Sequence, residues 1–86
     1  MFRVKVEEGS SLTTHDVAVP RGFLEKIGWS KTPEELIRSS FKFLLERESK
    51  ESILESFELP AISRYFPEYD EAVRSGFPET RGVRGE

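Results

Sequence analysis

Phe2, Val4 and Val6 alternate with Arg3, Lys5 and Glu7, the period-two pattern of a strand with one buried face. Gly9, Ser10 and Ser11 interrupt it. Extended character resumes over residues 12–19, with His15, Val17 and Val19 on one face and Thr14, Asp16 and Ala18 on the other. Two such runs separated by residues 8–11 predict an antiparallel hairpin. Pro20 closes the second strand, because it has no N–H to give to a ladder.

Beyond Pro20 the period changes to that of a helix. Phe23, Leu24 and Ile27 give residues 21–27 one apolar side, and Gly28 supplies the left-handed stop. Thr32, Pro33 and Glu35 then stand in the order N-cap, first-turn proline and capping-box acid. A main helix is expected from there to about Glu48. Its stripe is Ile37, Phe41, Leu44 and Leu45, widened by Leu36 and Phe43. Its outer face carries Glu34, Arg38, Lys42 and Glu46, spaced for the ion pairs Glu34 with Arg38 and Lys42 with Glu46.

Ser49 suits the cap of a second helix carrying Ile53, Leu54 and Phe57, cut short by Pro60. Pro60 and Pro67 each suit a first helical turn, and Ile62, Tyr65, Phe66, Tyr69 and Val73 run as a stripe across both pieces. Ser75 and Gly76 end this broken arm. The remainder is rich in proline, glycine and charge. The expected fold is α+β: an N-terminal β-hairpin followed by three to four helices, the last ones short and proline-broken. Residues 1–75 form a single domain and residues 76–86 a flexible C-terminal tail. No internal repeat is present.

Length changes this picture. A chain of 86 residues buries only about 60% of the surface exposed by its unfolded form. Small domains compensate with disulfides, metals or a partner subunit. There is no cysteine, and the single histidine, His15, cannot build a zinc site alone. Seven Phe, two Tyr and one Trp are a heavy apolar load for so short a chain. A homodimer is therefore expected.

The net charge of −3 offers no overall attraction to phosphate. The first residues intersperse charge with apolar positions, so neither a signal peptide nor a membrane span is expected, and the absence of cysteine points to the cytoplasm.

Candidate chemistry is thin. His15 is the one side chain that ordinarily titrates near neutral pH, but no nucleophile adjoins it, and a packed strand residue is the simpler identity. No serine lies in G-x-S-x-G or S-x-x-K. The carboxylates of residues 46–58 and 68–71 are interleaved with Arg47, Lys50 and Arg64, as on a solvated helix face. Gly9, Gly22 and Gly28 form no nucleotide-binding pattern. The expectation is a protein that is not an enzyme and carries no cofactor and no metal.

Residues 57–69 are dense in aromatics, and two prolines restrict their backbone. Such a segment can offer preorganised anchors to a protein partner. Ile62, Arg64, Tyr65, Phe66 and Tyr69 are the candidate contact residues of a non-catalytic interaction module. The alternative is that they complete the core of the monomer.

The order strand, short helix, glycine turn, capped helix in residues 17–48 resembles the ribbon-helix-helix family of bacterial repressors and antitoxins. Gly28-Trp29-Ser30-Lys31-Thr32 looks like that family's turn between helices, and Leu36-Ile37-Arg38 like part of its second helix. The resemblance implies strands from two subunits paired in the major groove, with Thr14, Asp16 and Ala18 facing the bases. It also implies phosphate contacts from Arg21, Lys31, Arg38 and Lys42, and a toxin-wrapping arm at residues 49–73. An antitoxin-like DNA-binding regulator is thus the second expectation.

Overall fold

A computed structural model describes residues 1–77. Strands β1 (Phe2–Glu8) and β2 (Ser11–Ala18) form the expected antiparallel hairpin around Gly9 and Ser10, in a register that pairs Val4 with His15 and Phe2 with Val17. The inward face carries Val6, His15 and Val17, all buried, and the strand ends before Pro20.

Helix α1 (Phe23–Ile27) follows. Gly28, at φ 84°, donates to the Glu25 carbonyl while the Trp29 N–H reaches back to Leu24, which is a Schellman stop that requires a residue free of a Cβ penalty. Helix α2 (Pro33–Leu45) starts as its sequence demands, with the Thr32 hydroxyl accepting from the Glu35 N–H at 3.2 Å. It ends at Leu45 rather than Glu48, because residues 46–48 turn away toward the next segment. Among the described residues no ion pair joins Glu34 to Arg38 or Lys42 to Glu46. The cations that do pair are Arg3, Arg47 and Lys50.

The helix expected after Ser49 is not formed. A 3₁₀ turn (Lys50–Ser52) leads instead to a third strand, β3 (Ser56–Glu58), which lies parallel to β2 and pairs Val17 with Phe57. Ladder bonds run from the Asp16 N–H to the Glu55 carbonyl and from the Leu59 N–H to the Ala18 carbonyl. These bonds and the burial of Phe57 beside Val17 outweigh the local helical spacing of Ile53, Leu54 and Phe57. The sheet order is β1-β2-β3. Helices α3 (Ala61–Tyr65) and α4 (Tyr69–Arg74) complete the proline-broken arm, with Pro60 at the N-cap of the first.

Helix α2 is buried on two sides. Phe41 meets the sheet through His15 and Phe57, at ring separations of 5.4 and 6.1 Å. Phe43 meets the C-terminal arm through Tyr69, Phe66 and Phe77, at 5.4 to 6.2 Å. This explains a stripe that includes Leu36, Ile37, Ser40, Phe41, Phe43 and Leu44. Phe77, expected in the tail, is half-buried and packs against the core. Gly76 at φ 76° forms a second Schellman stop, with Phe77 N–H bonded to the Ala72 carbonyl, and this turns the Phe77 ring onto Trp29, Phe43 and Tyr69. The rest of the expected tail, residues 78–86, lies outside the described residues.

Every aromatic residue except Tyr65 is buried or half-buried within the one chain. Much of the aromatic load that suggested a second subunit is therefore packed within the one chain, five of its rings half-buried. Among the described residues no helix is long and apolar enough to cross a membrane.

A candidate interaction groove

An apolar groove of about 320 Å³ opens where the end of α2, the loop before β3, and α3 meet. Leu44 and Ile62 form its buried floor, Phe57 and Phe66 its half-buried sides, and Leu54 and Tyr65 its exposed rim, at 51% and 67% exposure. Glu48 and Ser52 are the polar side chains in its lining.

The rim is held from below by His15. This residue is 1% exposed, and its Nδ1 donates to the Leu54 carbonyl at 2.8 Å, since a carbonyl can only accept. Its Nε2 lies 2.9 Å from the Thr13 hydroxyl, within hydrogen-bond reach. Both nitrogens are satisfied by protein, and the ring packs on Phe41. The one histidine thus serves as a strut beneath the groove.

The five contact residues suggested by the sequence are divided. Ile62, Tyr65 and Phe66 share the groove. Tyr69 is fully buried in the core, where its hydroxyl lies 2.7 Å from that of Ser40. Burial pushes its phenol up to about 12, partly offset by the Ser40 hydrogen bond. Arg64 is exposed and lies outside the lining. Leu54, Phe57 and Glu48 were missed, because their convergence depends on β3.

The four basic residues of the second expectation are all exposed. Arg38 and Lys42 share the outer face of α2 with Glu34 and Glu46, so that face carries both signs of charge. Lys31 sits over the Trp29 ring, 5.6 Å from its centroid. The strand that the ribbon-helix-helix resemblance would pair between subunits, β2, is bonded to β1 along one edge and to β3 along part of the other.

Two ion clusters brace the surroundings of the groove. Lys50, 4% exposed, bonds to Glu51 at 3.0 Å and Glu8 at 3.2 Å, tying the 3₁₀ turn to the end of β1. Its amine is held above the usual lysine range mainly by the Glu51 hydrogen bond. Arg47 bonds through Nε to Glu68 and through Nη1 to the Phe43 carbonyl, and its guanidinium lies 3.6 Å from the centroid of the Phe43 ring. Among the described residues, no group of three or more His, Cys, Asp or Glu is arranged to hold a metal ion.

Comparison with protein-family models, with curated proteins and with solved structures finds no match.

Proposed function

We propose that this chain is a non-catalytic protein-interaction module that receives its partner in the groove between the end of α2 and α3. One observation carries the reading: Leu54 and Tyr65 stand exposed on the rim of a concave apolar surface whose floor is already packed. Large apolar groups displayed beside a pocket mark contact sites more often than ordinary surface. Tyrosine is suited to the task, because it offers wide contact area with few rotatable bonds. The groove lies at the low end of the ~300–1,000 Å³ range of ligand sites, and its scarcity of polar groups fits anchoring rather than chemistry. The setting we propose is the cytoplasm, as the fold draws on no disulfide.

The test is site-directed photo-crosslinking in the native host, with a benzoylphenylalanine replacing Tyr65 in one strain and Arg38 in another. A discrete adduct from position 65 and none from position 38 is expected. An adduct of twice the chain's own mass would identify the partner as a second copy. Equal labelling from both positions, or none from position 65, removes the reading.

A further inference from the structure

We infer that the groove selects a peptide segment of a partner protein in which an apolar anchor is followed closely by an arginine or lysine, whose cation meets Glu48. This rests on the groove reading above and names the chemistry of its occupant. Glu48 is half-buried in the lining of an otherwise apolar groove. Among the described residues its carboxylate has no ion-pair partner, and the neighbouring cations are already engaged, Arg47 with Glu46 and Glu68, Lys50 with Glu8 and Glu51.

An apolar occupant alone would strip water from this carboxylate without compensation, at a cost in free energy. A basic side chain brought by the occupant turns that cost into an attraction. The exposed rim at Leu54 and Tyr65 leaves the groove accessible from solvent, as a side chain arriving on a peptide backbone requires. The chemistry is therefore that of an apolar-basic linear motif, with specificity from charge and anchoring from Leu54 and Tyr65.

The experiment pans a phage-displayed library of random dodecapeptides on the full chain, then measures the selected peptides by fluorescence anisotropy against the wild type, Glu48→Gln, Glu48→Lys and Leu54→Asp. Circular dichroism checks that each variant is folded. The expected consensus pairs an apolar residue with arginine or lysine. Glu48→Gln should weaken binding by about fivefold at low salt, Glu48→Lys by more, and Leu54→Asp should abolish it. A consensus without basic residues, or a Glu48→Gln variant that binds as well as the wild type while Leu54→Asp does not bind, overturns the charge inference and leaves the groove reading standing. Selected peptides that bind Leu54→Asp undiminished overturn both.

Discussion

His15 Nδ1 donates to the carbonyl of Leu54 across 2.8 Å, linking the central strand of the sheet to the rim of the groove thirty-nine residues further along the chain. The bond is part-buried, and the buried ring that makes it also packs on Phe41. His15→Ala should therefore leave the Leu54 carbonyl without its partner, leave the Thr13 hydroxyl facing a void, and remove the contact with Phe41. A loss of roughly 2–4 kcal/mol in urea unfolding is expected. Leu54 should also lose its fixed position. A variant of unchanged stability would show that the histidine bears no structural load.

Ser40 and Tyr69 provide a sharper test, because their hydroxyls meet in the core at 2.7 Å. Ser40→Ala strands the phenolic hydroxyl in an apolar interior and should cost about 1–3 kcal/mol. Adding Tyr69→Phe removes the stranded group. The double variant should then be destabilised by clearly less than the sum of the two single changes. Strict additivity in the cycle would mean that the two hydroxyls do not depend on each other.

Arg47 joins three things that a lysine cannot join together: the Glu68 carboxylate, the Phe43 carbonyl and the face of the Phe43 ring. Arg47→Lys keeps the charge but gives up the planar fork and the stacking, for an expected loss of about 1–2 kcal/mol. An acid limb follows from the same contact. Glu68 is held below the usual carboxylate range by its own backbone N–H and by Arg47, and Glu51 is held low chiefly by Lys50. The stability they supply is present above the unfolded glutamate range and is lost as pH falls through their lowered values. Arg47→Ala should make urea midpoints fall less steeply between neutral and acid pH, and an unaltered acid slope would count against the pair.

The hairpin, the stop at Gly28 and the start of α2 were legible in the sequence because each is decided within a few residues: alternation in β1, the Schellman glycine, and Thr32 capping Glu35. The third strand was not. Ser56–Glu58 is three residues long and becomes a strand only because β2, forty residues earlier, offers it an edge. Misreading it hid the groove, since Leu54 and Phe57 come together with Tyr65 only once β3 is in place. The same limit applied to the aromatics of residues 57–69. Their spacing showed a helical stripe, but the two-sided burial of α2 decides that Tyr69 belongs to the core while Tyr65 faces solvent. Of the five residues proposed from composition, the three in the groove lie on or next to α3.

Alkaline pH should unfold the protein in a way that singles out Tyr69. Burial raises its phenol to about 12 in the folded chain, whereas an unfolded tyrosine ionises near 10. Below pH 10 both states keep the proton and its full contribution is present. Between about 10 and 12 the unfolded state releases the proton first, so stability falls, by on the order of 2–3 kcal/mol across the interval. Lys50, whose amine is also raised, acts in the same direction, because the unfolded lysine gives up its proton before the folded one. The two are separable by substitution. Urea midpoints followed from neutral pH to about pH 12 should decline steeply in the wild type, less steeply in Tyr69→Phe, and least in Tyr69→Phe combined with Lys50→Met. A wild type and a Tyr69→Phe variant with the same alkaline slope would show that the phenol is not shielded from water in the folded chain, and with it would fall the placement of Tyr69 in the core.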